Sequence, residues 1–217
     1  MAARWKRLAV PLIILAFPVA FWLIISRGEN HLKRLPVIGP ADVAANGDTI
    51  YHTIADFSLT NQEGKVITQA DLTGKIYVAN FFFATCPTIC PKMNENFRKV
   101  QQEFKGSNDV RMVSYTVDPE QDSVPVLKAY AEKMYADNSF WWFLTGNKDS
   151  IYTLARESYL VPAASGKTAE DFFHSDQLIL IDKEKRIRGL YDGMDPYAVD
   201  TLIAEMKVLL HEYVEEK

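Results

Sequence analysis

The chain has 217 residues, 48% of them hydrophobic and 24% charged, with a formal net charge of −4. The charge is uneven: residues 1–34 hold six Lys+Arg and one Asp+Glu, leaving 18 basic and 27 acidic residues, a net of −9, in the rest. An acidic domain of this kind argues against nucleic acid as a partner. It suits a cation or a basic protein surface, or serves solubility alone.

Residues 1–7 form a basic start with Arg4, Lys6 and Arg7. Residues 8–25 then run without a charge, long enough to cross a bilayer near the lower limit. Trp5 and Trp22 lie near the two ends of the run, as interface anchors do, and Pro11 and Pro18 are tolerated in membrane helices. The bulky Phe21-Trp22-Leu23-Ile24-Ile25 lacks a small-x-small cleavage site, so an uncleaved anchor is expected in preference to a removed signal peptide. The short basic start and the long following domain place the N-terminus in the cytoplasm and the domain outside. With no Arg- and Ser-rich transit peptide, the expected setting is a bacterial inner membrane, single-pass, with a periplasmic domain. Residues 26–53, with Pro36, Gly39, Pro40, Asn46 and Gly47, read as a linker, and residues 54–217 as one domain.

Within that domain, Asp56 to Thr60 and Val66 to Thr68 read as a hairpin across Asn61 to Lys65. Ile76 to Phe83 reads as a buried strand and Pro91 to Phe104 as a helix. Val110 to Val117 is a second core strand. Ser123 is placed as an N-cap, with Pro125 in the first turn of a helix whose inner face is Leu127, Tyr130, Ala131 and Met134. A short aromatic strand (Phe140 to Leu144), a helix (Asp149 to Ser158), strands at Gln177 to Ile181 and Ile187 to Tyr191, and a last helix (Pro196 to His211) complete the order. The predicted fold class is α/β: a thioredoxin-like mixed sheet flanked by helices, preceded by one N-terminal transmembrane helix. A site would lie at the carboxyl ends of the strands.

The two cysteines of the chain, Cys86 and Cys90, lie in Cys-Pro-Thr-Ile-Cys directly after the buried strand. The i, i+4 spacing is expected to stack both sulfurs on one face of a helical turn, where the helix start favours thiolate. Thiolates select Cu(I) or Zn(II), or shuttle electrons as a dithiol. A structural disulfide or two buried thiols is the plainer reading, although so tight a loop gains little entropy from a disulfide. A metal needs a third donor. His31, His52 and His211 read as surface histidines. His174, immediately before the strand at Gln177, reads either as a structural residue or as the imidazole of a copper set, and chemistry alone leaves both open. Asp118 reads as a turn residue before Pro119, or as a carboxylate that tunes the thiols or docks a partner. Met93 reads as helix core, and Trp141 and Trp142 as packing.

The segments Phe81-Phe82-Phe83-Ala84-Thr85-Cys86-Pro87-Thr88-Ile89-Cys90-Pro91, then Ser114 to Pro125 with Asp118-Pro119, then His174-Ser175 before a strand, resemble the Sco family, also called SenC. The resemblance covers roughly Ile54 to Leu210. It implies a thioredoxin-like fold and Cu(I) or Cu(II) held by Cys86, Cys90 and His174. It also implies a role in building the binuclear copper centre of cytochrome c oxidase, with the oxidase copper-centre subunit, a copper donor protein and a thiol reductant as partners. Many members carry Asp before the histidine. Here the residue is Phe173, so an acidic group that would orient the imidazole is missing there.

Three function classes follow. The leading one is a membrane-anchored copper metallochaperone, not a turnover enzyme. The second is an extracytoplasmic thiol–disulfide oxidoreductase in which Cys86, expected as the more exposed thiol, attacks and Cys90 resolves. Three intervening residues and no proline just before Gln177 count against it. A thiol peroxidase would want a positioned Arg, and none is identifiable.

Overall fold

The computed structural model describes residues 17–18, 34–87, 89–161 and 176–215. These fall into two compact units, Met1–Arg34 and Leu35–Lys217. In the first, only the helical Phe17 and Pro18 and the terminal Arg34 are described. The expected anchor at 8–25 therefore lies outside the described residues apart from Phe17 and Pro18. Among the described residues no helix is long and apolar enough to cross a membrane.

The second unit begins at Leu35, ahead of the boundary expected at Ile54. The stretch read as linker holds a small hairpin, β1 (Ala41–Val43) with β2 (Thr49–Tyr51), antiparallel and exposed throughout. Just before it, the chain is tied down. Arg188, only 4% exposed, donates to Leu35 O at 2.6 Å and Pro36 O at 3.1 Å, and is paired with Asp182 and Glu212. Glu212 also accepts the Leu35 N–H at 2.9 Å. Ile38 N donates to Ile187 O at 2.8 Å.

The main sheet has seven strands: β3 (Ser58–Asn61), β4 (Val66–Thr68), β5 (Ile76–Phe82), β6 (Val110–Thr116), β7 (Trp141–Thr145), β8 (Gln177–Ile181) and β9 (Ile187–Asp192). Their spatial order is β4-β3-β7-β6-β5-β8-β9. β5, β6 and β7 are parallel, and the other pairings are antiparallel. β5 is buried at all seven positions, as a strand between two neighbours and two covered faces must be.

Alternation along β5 divides the core. Ile76, Val78 and Phe82 face three helices: α1 (Ile89–Phe104), α2 (Val124–Lys133) and α4 (Pro196–Glu215). Their inner residues are Met93, Phe97 and Val100, then Leu127 and Ala131, then Leu202 and Met206. Tyr77, Ala79 and Phe81 face the other side. That side is covered by a 3₁₀ turn (Gln69–Leu72), α3 (Lys148–Thr153) and a π turn (Leu154–Ser158). The sheet flanked by helices is the expected class. Helix α1 starts two residues earlier than predicted, and α4 runs four residues longer.

Candidate functional site

β5 delivers the chain to the site. It ends at Phe82, and Cys86 N donates to Phe83 O at 3.2 Å, closing a turn ahead of α1. Cys86 therefore lies before the helix and Cys90 in its first turn, not both on one helical face. Instead the Cys90 backbone N–H donates to Cys86 Sγ at 3.3 Å. An N-terminal helix amide is one of the groups that stabilise a thiolate.

No disulfide joins the two cysteines, and each is only 6% exposed. Cys86 is thus no more exposed than Cys90, contrary to the sequence expectation. Burial pushes the Cys90 thiol up to about 12, against the pull of the Phe83 backbone and with Cys86 adding to the rise. The helix start was expected to favour thiolate at both positions, but at Cys90 loss of water outweighs the backbone dipoles.

Asp118 follows β6 and shapes a turn: its N–H donates to Thr116 Oγ1 at 3.0 Å, and its carbonyl accepts from Gln121 and Asp122. The carboxylate that reaches the cysteine loop is that of Asp122. Fully buried, it accepts the Ala84 N–H at 3.0 Å through Oδ2 and also the Thr116 hydroxyl, while Oδ1 has no hydrogen-bond partner. Burial, more than the nearby Asp118, raises the Asp122 carboxyl above its usual range.

His174 lies outside the described residues. The register is informative nonetheless: antiparallel β8 pairs with β5 through Ala79 opposite Ile179 and Tyr77 opposite Ile181. The start of β8 therefore lies toward the Phe82 end of β5, where the cysteine loop begins. Asp176, just before β8, accepts the Gly193 N–H at 2.7 Å. Gly193 also lies against α1, where a Cβ would stand 2.7 Å from Met93 Cγ and 2.9 Å from Asp176 O. Its carbonyl accepts from Asn96 of α1 at 2.9 Å.

The other singled-out residues behave as packing. Met93 and Trp141 are fully buried and Trp142 is half-buried. His52, read as a surface residue, is half-buried, with Nε2 2.8 Å from Ser158 O. Among the described residues no three His, Cys, Asp or Glu side chains come together as a metal-ligand set. Two buried sulfurs fit a soft monovalent cation, and a third donor has to come from elsewhere. A cleft of about 570 Å³ lined by Asp56, Phe57, Asp149, Thr153 and Glu157 contains neither cysteine.

Comparison with known proteins agrees with this architecture. The family model SCO1/SenC matches residues 46–211. The SCO1 protein homolog of Bacillus subtilis is 30% identical over 162 residues, which is 74% of this chain and 84% of that protein. BsSco, a Sco-family cytochrome c oxidase assembly protein in which a disulfide switch was identified, superposes with TM-score 0.63 at 30% identity, covering 73% of this chain and 93% of that one. Arabidopsis thaliana ScoI with copper bound superposes with TM-score 0.56 at 26% identity, covering 70% and 97%. The fold is thus the thioredoxin-like fold of Sco proteins, and this chain belongs to the SCO1/SenC family.

Proposed function

We propose that this chain is a membrane-anchored copper-binding protein that assists assembly of the binuclear copper centre of cytochrome c oxidase, carrying copper as cargo on Cys86, Cys90 and His174. One observation carries the reading. Two buried soft donors sit at the Phe82 end of β5, and β8, which begins three residues after His174, starts toward that same end. Copper bound in Arabidopsis ScoI and the oxidase-assembly role of BsSco support it. Delivery would proceed by ligand exchange, a partner's donor replacing each of this chain's in turn. The partners are a copper donor, the oxidase copper-centre subunit and a thiol reductant. The basic start and the uncharged run at 8–25 favour an inner-membrane anchor with the domain in the periplasm.

Metal analysis of the reduced protein tests the assignment. One copper per chain is expected, with two sulfurs and one nitrogen in copper K-edge absorption. An unchanged spectrum and stoichiometry in His174→Ala would overturn the histidine's role.

A second reading is favoured by the contact from Cys90 N–H to Cys86 Sγ. A Cys86 thiolate attacks a partner disulfide and expels one partner thiolate. Cys90 then gives up its proton and attacks Cys86 Sγ, releasing the second partner thiol and leaving a Cys86–Cys90 disulfide. This reaction does not need His174, so retained disulfide reduction with lost copper binding in His174→Ala separates the two activities. The copper reading requires that a Cys86–Cys90 disulfide abolish copper binding. Full copper loading of protein shown by mass to carry the bond would end that link.

A further inference from the structure

Helix α2 closes on a tyrosine where a glycine is usual. After the cap at Met134, the Tyr135 N–H donates to Glu132 O at 3.0 Å and the Ala136 N–H to Ala131 O at 3.0 Å, the two bonds of a Schellman motif. That motif needs a left-handed residue just past the cap, and Tyr135 takes the position at φ 54°. A Cβ is crowded in this conformation, so glycine or asparagine fills most such positions. The turn is held from α1 all the same. Gln101, 8% exposed, donates through Nε2 to Tyr135 O at 3.0 Å and accepts the Asp137 N–H through Oε1 at 2.7 Å. Strain of this kind persists where surrounding contacts over-determine the backbone, and it gathers at functional sites.

Core packing does not account for the ring. Tyr135 is 76% exposed, and the Arg98 guanidinium lies over it, 5.4 Å from the centroid. Beside the pair a recess of about 190 Å³ opens between α1 and α2, lined by Pro91, Asn94, Glu95, Arg98, Lys133 and Met134. Pro91 directly follows Cys90, and Arg98 stands about 12 Å of helix rise beyond it. Lys99 and Glu103 of the same helix are paired with Asp200 and Lys207 of α4. Among the described residues neither Arg98 nor Lys133 joins an ion pair. Tyrosine and arginine are over-represented where a few residues carry most of a binding energy. A standard interface covers ~800 Å² per partner, wide enough to take in both the recess and the cysteine loop.

From this we propose that the Tyr135–Arg98 pair and the recess beside it are a docking anchor for the copper-receiving partner, which presents carboxylates next to its own copper or thiol site. The two unpaired cations, set against Glu95, fix the sign of the partner surface. The rigid ring supplies contact area at little entropic cost. The proposal deepens the assembly reading and rests on it.

The test measures binding of the copper-free soluble domain of the oxidase copper-centre subunit to the full chain in detergent, with copper uptake by the chain recorded alongside. Tyr135→Gly removes the ring and suits the left-handed turn. Its affinity is expected to fall at least tenfold, while its Tm stays level or rises by about 2–4 °C. A merely structural ring would give the reverse, a lower Tm with unchanged affinity. Arg98→Lys keeps the charge without the planar stacking and is expected to bind between wild type and Arg98→Ala. Raising NaCl from about 50 to about 300 mM is expected to weaken wild-type binding, and Arg98→Ala binding less. Wild-type affinity in Tyr135→Gly, binding that salt does not weaken, or a wild-type chain that does not bind the domain would each overturn the inference. A chain that docks through Tyr135 but takes up no copper would sink the copper reading and leave the anchor standing. Copper uptake with docking that ignores Tyr135 would do the opposite.

Discussion

The Asp122 carboxylate accepts the backbone N–H of Ala84 at 3.0 Å across 38 residues of chain, and Ala84 stands two residues before Cys86. The contact joins the turn after β6 to the cysteine loop through a single buried side chain. Its second oxygen, Oδ1, remains without a hydrogen bond.

A pH dependence follows from that burial. The folded-state pKa of Asp122 is raised. The stability linked to its proton is thus fully present below the unfolded value and is lost as pH rises through the folded one. Asp122→Asn keeps an acceptor for Ala84 and Thr116 and carries no charge. The variant's stability relative to wild type is expected to improve as pH rises from the unfolded carboxylate value, about 4, through the folded one, and then to level off, in urea titrations between pH 4 and pH 8. A difference that is flat over that range would refute the assignment. Asp122→Ala leaves the Ala84 N–H and the Thr116 hydroxyl buried without their acceptor and is expected to cost ~1–3 kcal/mol.

The two thiols are expected to label in order. At pH 8, with Cys90 pushed up to about 12 and Cys86 receiving the Cys90 N–H, limiting iodoacetamide modifies Cys86 first. Peptide mass mapping at short times reads this directly; equal labelling would show that the asymmetry is absent. On the proposed ligand set, copper capture must also displace the Cys90 proton. Apparent affinity is therefore expected to rise by about tenfold per pH unit for that thiol between pH 6 and 8 in competition titrations.

Arg188 is the most heavily committed cation of the described domain, bonded to Asp182, Glu212, Leu35 O and Pro36 O. Arg188→Ala removes one of the two cations on Asp182, which is 1% exposed and keeps Arg186 at 2.7 Å, and frees the Leu35–Pro36 arm. Because Arg186 still pairs with Asp182, the loss is expected to fall below the ~3–5 kcal/mol of a buried charge left with no partner. Limited proteolysis should then cut near residues 35–40 well before the domain unfolds. A variant whose cleavage pattern matches wild type would contradict the clamp.

Gly193→Ala is expected to disturb the site from below. Its Cβ would meet Met93 Cγ at 2.7 Å and the Asp176 carbonyl at 2.9 Å, and backbone cannot yield cheaply. Overpacking of this kind costs ~1–3 kcal/mol. Amide shifts in α1 around Cys90 are expected to report it; a spectrum perturbed only at Gly193 would argue against the coupling.

The apolar runs made β5, β6 and β8 legible, and the helical periodicity of Leu127, Tyr130 and Ala131 marked α2. Polar residues inside those elements were opaque. Asn80 interrupts an apolar run without any pattern to separate a network residue from a tolerated exception. Asp118 and Asp122 occupy one polar stretch, and composition does not say which carboxylate turns inward. Only the fold shows that Asp118 shapes the turn with its backbone while Asp122 enters the core. The β1–β2 hairpin escaped because all six of its residues are exposed, so no buried face imposes a period. His52 looked solitary because its partner, the Ser158 carbonyl, is 106 residues away.

The arm that Arg188 holds also lies along an outer strand. β9 is the last strand of the sheet, and Ile38 bridges to it at Ile187. An uncovered outer strand is a template onto which a second chain can add. At the opposite border β4 is only three residues long and offers little to pair with. Trimming the chain to the apparent start of the domain at Ile54 would thus strip the cover from β9 while leaving every residue of the thiol site in place. Such a shortened protein is expected to self-associate at concentrations where one beginning at Leu35 stays monomeric in light scattering.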